Sequence, residues 1–397
     1  MKSHPLMFTI YLPSMLIMIA GGILALALPV FALQELDASY SLVGLMVAGQ
    51  AIGTLFMDLP GGMVLSRLHG KRTMLLGLTL MTLSGFALSW GQSVAEVLVY
   101  RLIMGAGLSL YALSRHAFVA EMMPVAERGR SISWLGGINR GGRVIGPLLG
   151  GLISAAFGVR ASFIAVGLVL LITILTVLVF MPKLSLTIAE PPSVREYVTQ
   201  LGRTTRENWK VLSSAGLAQL LAQMVRQARA IIIPLYATDI LGLDELALGS
   251  ILSWASLADT SLFYPAGLLM DRFGRKFAIV PSFLVQGLCL MLIPLTGSYY
   301  ALLAVACGIG LGNGISSGTM MTLGADLAPI GERSEFLSLW RVVGNTGVSL
   351  SPLVTGAVAD ALTLSPAALV LGSTGLLASF IFARFVPETL RKNEATA

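Results

Sequence analysis

The sequence predicts an all-α membrane protein whose twelve spanning helices form two pseudo-symmetric six-helix bundles. Three observations carry that prediction. Of 397 residues, 55% are hydrophobic and only 12% are charged, with a mean hydropathy of +0.83. A soluble chain of this length has too little interior to hide so much apolar surface. Apolar runs of roughly 18 residues or more recur along the whole chain, each long enough to cross the hydrocarbon layer as a helix. Finally, the stretch Pro60–Arg72 (PGGMVLSRLHGKR) returns 205 positions later as Pro265–Lys276 (PAGLLMDRFGRK).

Turn signals and charge clusters divide the chain into spans at about 7–33, 41–66, 72–90, 96–121, 131–156 and 161–181. A second set follows at 212–238, 246–270, 277–296, 299–326, 334–360 and 365–386. The first run is too long for a signal-peptide core and has no small-residue cleavage site behind it, so it reads as a retained spanning helix. Pro29, Pro147, Pro234 and Pro352 fall inside spans, where membrane helices tolerate them. The one long polar connection, 183–210, contains Pro191-Pro192 and reads as a linker between bundles 1–182 and 211–397. A short amphipathic helix around Val194–Trp209 fits within it. Cys289 and Cys307 both sit in apolar runs and read as packing residues, not as a disulfide or metal site.

Placing the N-terminus inside assigns 18 of the 26 Lys and Arg to cytoplasmic segments and only Arg160 to an outer loop. That asymmetry predicts cytoplasmic termini. It also explains the basic pI near 9.5 without a nucleic-acid partner.

The repeat extends past the hinges. At an offset of 205, Gly105 and Gly107 match Gly310 and Gly312, Glu121 matches Asp326, Pro124 matches Pro329, and Glu127-Arg128 matches Glu332-Arg333. At an offset of 206, Trp134 and Asn139 match Trp340 and Asn345. Parallel repeats of this kind place a substrate site near mid-membrane and work by alternating access.

Here a family resemblance becomes specific. Gly267-Leu-Leu-Met-Asp271-Arg272-Phe-Gly274-Arg275-Lys276 resembles the G-x-L-a-D-r-x-G-r-k motif of major facilitator superfamily permeases. The first copy departs from it, with Ser66 in place of Asp and His69 reading as an extra residue before Gly70. Arg101-Leu-Ile-Met104-Gly105-Ala-Gly107 resembles the family's span 4 motif, with Met104 replacing a polar residue. Gly142, Gly146, Pro147, Gly150 and Gly151 resemble the span 5 motif of its twelve-helix drug:proton antiporter branch. The likeness covers essentially the whole chain and implies that branch's fold and proton-coupled export. The first span carries no acid before Glu35, whereas several antiporters of the family place a coupling acid there.

Each constellation also has a bland reading. The basic loops with Ser66, Arg67, Gly70, Lys71, Arg72, Asp271, Arg272, Arg275 and Lys276 anchor topology, or they form a cytoplasmic gate with Glu121 and Asp326 as partners. The span 5 glycines have small-x-x-x-small spacing that packing alone explains. Seven cations remain within spans: Arg101, Arg115, Arg140, Arg143, Arg226, Arg229 and Arg341, against two clear acids, Asp58 and Asp259. Arginine in hydrocarbon is costly unless paired or hydrated, so these face a wet interior or, like Arg115 near its helix end, snorkel to the surface. Arg101, Arg140, Arg143, Arg226, Arg229 and Arg341, with Gln223, Asp259, Asn313 and Asn345, are the expected cavity lining. Arginine keeps its proton, so coupling falls to Asp58, Asp259 or His116. Each of the two acids is equally readable as a structural counter-ion, and His116 as a passive residue near the boundary.

These features predict a secondary transporter and not an enzyme. Only His4, His69 and His116 occur, with no HExxH and no Ser/His/acid trio at one depth. No GxxxxGK[ST] exists, so no ATP, metal or other cofactor is expected, only an ion gradient, taken to be protons. Proton-driven efflux of small amphipathic organic compounds is one reading. Uptake or exchange of a specific organic anion by an arginine-rich cavity is the other. Either way the expected partners are a small-molecule substrate and the lipid bilayer, for a monomer in a bacterial inner membrane.

Overall fold

The computed structural model describes residues 7–122, 125–182, 194–329 and 333–390. Helices make up nearly all of them, and no strand occurs among the described residues. The first six are α1 (Leu12–Gln34, entered through a π-helical turn Met7–Tyr11), α2 (Tyr40–Leu68), α3 (Gly70–Leu88), α4 (Val94–Met122), α5 (Val125–Phe157) and α6 (Val159–Phe180). A linker helix α7 (Val194–Glu207) precedes α8 (Leu217–Leu235), α9 (Glu245–Ser261), α10 (Phe263–Phe273), α11 (Arg275–Leu292), α12 (Tyr299–Ile315), α13 (Thr319–Leu327), α14 (Arg333–Ala361) and α15 (Leu364–Arg384).

Nine segments among the described residues are long and apolar enough to cross a membrane. The third, fifth and seventh predicted spans are also helical; the short third helix carries Lys71 and Arg72 in its first turn, and Arg140, Arg143, Arg226 and Arg229 lower the hydropathy of the other two. Two spans are broken. The eighth breaks at Leu262 (φ −93°, ψ 0°), because Pro265 in the next turn supplies no N–H and crowds the carbonyl four residues back. The tenth breaks at 316–318, where Gly318 takes φ +77°.

The chain forms two compact units: Met1–Pro191 with Ala237–Ser253, and Pro192–Tyr236 with Trp254–Ala397. The linker helix α7 belongs to the second, lying against α14. Within the first unit α1 packs on α5 and α6, and α3 on α4 and α6. Within the second, α8 packs on α14 and α15, and α11 on α12 and α15. Shifted by 205, these are the same pairs.

The repeat holds at single residues. A Cβ on Gly105 would fall on the Gln50 carbonyl oxygen, and one on Gly310 would fall on that of Ala255. Gly142 lies against the Met15 carbonyl as Gly347 lies against that of Leu220. Gly146 faces the Ile19 carbonyl, and at the matching place Ser351 donates to Met224 O at 2.7 Å. All these pairs keep an offset of 205, span 11 included. The expected offset of 206 at Trp134 and Trp340 is therefore corrected. Trp134 is 64% exposed and Trp340 only 3%, so they occupy different environments.

A second correction concerns His69, which is not an inserted residue. It occupies the turn between α2 and α3 with φ +63° and ψ 165°, where Gly274 joins α10 to α11 with φ +107° and ψ 166°. That turn demands a positive φ, and the first copy meets it with histidine. Gly70 consequently stands where the second copy has Arg275.

Candidate functional site

In the second unit, polar side chains gather around the break in the tenth span. Asp259 is the middle residue of Glu245–Phe273 and Asn313 the middle residue of Tyr299–Leu327. Both are buried, and Asn313 Nδ2 donates to Asp259 Oδ2 at 2.9 Å. Glycines allow this depth of approach: a Cβ on Gly314 would come within 2.6 Å of the Asp259 carbonyl oxygen. A carboxyl group so placed gives up water, an arrangement that persists only where neighbours such as Asn313 compensate it.

One turn beyond Asn313 lies Ser316, at the start of the break. Arg226 of α8 reaches it with Nη2, donating to Ser316 Oγ at 2.5 Å and to the Ser316 carbonyl at 3.3 Å. Its Nη1 donates to Gln223 Oε1 at 3.4 Å, and the guanidinium sits 5.0 Å from the centre of the Phe283 ring. Ser282 Oγ of α11 donates to Gly312 O at 2.7 Å and lies 2.6 Å from Ser316 Oγ, and Gln286 Nε2 donates to Ser282 Oγ at 3.0 Å. At the unwound turn 316–318 the Ser316 carbonyl accepts a 3.2 Å turn bond from Thr319 N, and Arg226 adds a second donor to it. Guanidinium and carboxylate thus stand on the two neutral polar residues, Ser316 and Asn313, that end α12.

Ser282, Gln286 and Ser316 were not anticipated. Their signal was available, since hydroxyls and an amide four residues apart in an apolar span seek partners there. Arg229, Arg140 and Asn345 are half-buried, whereas Arg143 and Arg341 are exposed.

The first unit is different. Asp58 accepts a 2.6 Å bond from Ser109 Oγ and is half-buried. Arg101, expected in a cavity, is instead 5% exposed between α2 and α4. Its Nε and Nη2 donate to the Met46 and Val47 carbonyls at 3.3 and 3.5 Å, and Nη1 meets Met104 Sδ at 3.6 Å. Met104, the motif's missing polar residue, is thus a soft neighbour of a structural arginine. His116 is exposed, its Nε2 3.3 Å from Arg115 Nη2.

The hinges are unequal. Arg275 Nε donates to Asp326 Oδ2 at 2.9 Å, and Arg275 Nη1 lies 3.7 Å from Asp271. Thr389 Oγ1 donates to the same Asp326 oxygen at 2.8 Å. Beneath, Glu388 accepts the backbone N–H groups of Arg275, Lys276, Thr389 and Leu390 at 2.9 to 3.0 Å, closing the amino end of α11. Burial works to raise this carboxyl, but the four donors outweigh it and hold it below the usual carboxylate range. In the first copy Ser66 bonds only back to Met63 O, Gly70 replaces the arginine, and Arg67, Arg72 and Glu121 are exposed. The span 5 glycines Gly142, Gly146 and Gly150 seat α5 on α1, while Gly151 meets Glu245 and Gly249.

A duplicated helical bundle of apolar spans, with a charged hydrogen-bonded cluster halfway along two of them, is the construction of a membrane carrier. The Major Facilitator Superfamily model matches residues 10–224 and again 215–397, and the chain belongs to that family of multi-pass membrane transporters. It is 23% identical to Quinolone resistance protein NorA of Staphylococcus aureus (strain MSSA476) over 369 residues, 92% of each chain. It is 29% identical to Multidrug resistance protein 2 of Bacillus subtilis (strain 168) over 184 residues, 46% of this chain and 45% of that one. In fold it is similar to the nucleoside transporter NupG (TM-score 0.79, 14% identity, 94% and 98% of the two chains). A D-xylose-proton symporter is also similar (TM-score 0.73, 17% identity, 96% and 98%).

Proposed function

We propose that this transporter exports small amphipathic organic compounds, drawing on a proton gradient and not on ATP, by alternating exposure of a central site. The observation that carries the reading is Asp259, a buried carboxylate at the midpoint of its span, held by Asn313. It is a group that can gain and lose a proton, and its partner Asn313 lies one turn from Ser316, the residue held by Arg226, which cannot. Quinolone resistance protein NorA, 23% identical along 92% of the chain, supports export. Both termini are cytoplasmic in this reading, and Asp271, Arg275 and Asp326 form the firmer of two cytoplasmic latches. Asp58 with Ser109 is the first bundle's counterpart candidate for coupling. Uptake or exchange of an organic anion is the second reading, favoured by the exposed position of Arg143 and Arg341.

Proteoliposomes with an imposed pH gradient and a fluorescent amphipathic dye test the coupling. Wild type should concentrate the dye against the gradient's proton flow. Asp259→Asn should keep dye binding but lose gradient-driven movement. Undiminished transport by Asp259→Asn would sink the assignment, and transport that follows ATP but ignores the gradient would sink the reading as a whole.

A further inference from the structure

In the repeat, position 316 of the second bundle corresponds to position 111 of the first. Where the second bundle brings Arg226 to Ser316, the first has Tyr111, whose hydroxyl lies 3.0 Å from Ser14 Oγ of α1. One turn further along α4, Arg115 Nη1 donates to that Ser14 oxygen at 3.4 Å, and its guanidinium sits 5.5 Å from the Tyr111 ring centre. Tyr111 and Ser14 are fully buried, and Arg115 is partly exposed. Its remaining neighbour is His116 Nε2, which can accept from an arginine only in the neutral imidazole form.

The Tyr111 and Ser14 hydroxyls carry no charge, and among the described residues no carboxylate pairs with Arg115. Its Nε is buried without an acceptor. Arg101, the other arginine of this helix, has all three nitrogens engaged and almost no exposure. Arg115 instead combines a missing counter-charge, an idle donor and an open side, within a span where an uncompensated cation is costly.

We propose that Arg115, seated by Tyr111 and Ser14, is an anion-binding site of the first bundle that takes the carboxylate, sulfonate or phosphate group of an amphipathic substrate. A guanidinium fork matches such groups with paired, charge-assisted hydrogen bonds. The substrate role rests on the exporter reading above; the binding preference does not.

The test is a thermal-shift and titration screen of the full-length protein in phosphatidylcholine nanodiscs. The probes are aromatic carboxylic and sulfonic acids, each paired with its neutral ester or amide. The acids should bind wild type more tightly than their neutral partners. Arg115→Gln should weaken the acids roughly tenfold or more, the loss of about one charged hydrogen bond, while neutral partners change less than about twofold. Retained neutral binding shows that the variant folds, and Arg115→Lys should recover part of the preference. Phosphatidylglycerol competing with the acids on wild type but not on Arg115→Gln would identify a headgroup phosphate as an occupant of the same site. The proposal is overturned if no acid is preferred by wild type, or if Arg115→Gln keeps the preference. Failure of gradient-driven transport with acid binding intact would instead count against the exporter reading alone.

Discussion

Lys71 and Lys276, 205 positions apart, close the carboxyl end of the last helix in their own bundle. Lys71 Nζ donates to the Leu178 and Met181 carbonyls at 2.9 and 2.6 Å, and Lys276 Nζ donates to Ala383 O at 2.6 Å. Leu178 and Ala383 are themselves 205 apart. Terminal carbonyls lack intrahelical donors and carry the negative end of the helix dipole, so an ammonium there is doubly favoured. The lysine that ends each hinge motif thus ties the hinge to the sixth helix of its bundle. Lys71→Met and Lys276→Met should each lower the thermal-unfolding midpoint in detergent, by the equivalent of about 1 kcal/mol after solvent screening. Lys71→Met should be the worse, having two carbonyls to abandon. Unchanged midpoints in both variants would show the contacts to be idle.

The close crossings α2–α4 and α9–α12 predict a paired sensitivity. A methyl at Gly105 or Gly310 meets a backbone carbonyl that cannot swing aside, so Gly105→Ala and Gly310→Ala should cost about 1–3 kcal/mol each through forced separation of helices. Gly267, the first glycine of the intact hinge motif, has open space where its Cβ would stand. Gly267→Ala should therefore be neutral or stabilise by up to about 1 kcal/mol through helix propensity. Melting curves of the three variants decide the matter, and a sensitive Gly267 with tolerant Gly105 would refute the packing argument.

How much of this was legible depended on period and composition. Apolar run length located the predicted spans, because hydrocarbon thickness imposes it, but not the amphipathic linker helix α7 or the breaks within the eighth and tenth spans. The repeat offset was legible at the hinges, where chemistry is distinctive. It slipped by one at Trp134 and Trp340, where two similar residues fell near register by coincidence. The polar cluster was half legible: Asp259, Asn313, Gln223 and Arg226 stood out as costly residues in apolar spans. Ser316 did not, since its role comes from a helix break set by Gly318. Arg101 looked like its neighbours in sequence, and only three-dimensional contact reveals carbonyls satisfying it. Glu388 lies beyond the last span, in a stretch whose local sequence gives no reason to fold back under α11.

The histidine in the first hinge turn carries a measurable strain. Its φ of +63° with ψ 165° belongs to a region that is essentially glycine's, at a cost of about 1–3 kcal/mol for other residues. His69→Gly removes that strain but adds unfolded-state freedom worth roughly 0.5–1 kcal/mol. A net gain of about 1 kcal/mol should follow. The reverse exchange, Gly274→His, should be strongly destabilising, because its Cβ would also meet the Glu388 carboxylate at 2.5 Å. Thermal unfolding of both variants checks the pair. A destabilised His69→Gly would mean that the imidazole contributes contacts outweighing its backbone strain.

The Glu388 cap predicts how the second hinge responds to acid. Its carboxyl is held below the usual range by four backbone donors acting against burial. A group whose pKa is lower folded than unfolded stabilises the fold fully above its unfolded pKa, about 4.3 for glutamate. That contribution fades as pH falls from there through the depressed folded value. Wild type should therefore exceed Glu388→Gln in thermal stability by a constant margin from neutral pH down to about 5, with the margin shrinking below about 4.3. Glutamine cannot replace the charge at the amino end of α11, so the margin should be present at neutral pH despite the similar shape. Differential scanning fluorimetry across a pH series reads both curves. A margin that instead widens below pH 4 would mean that the protonated form is the one the turn prefers, contrary to the four N–H groups aimed at it.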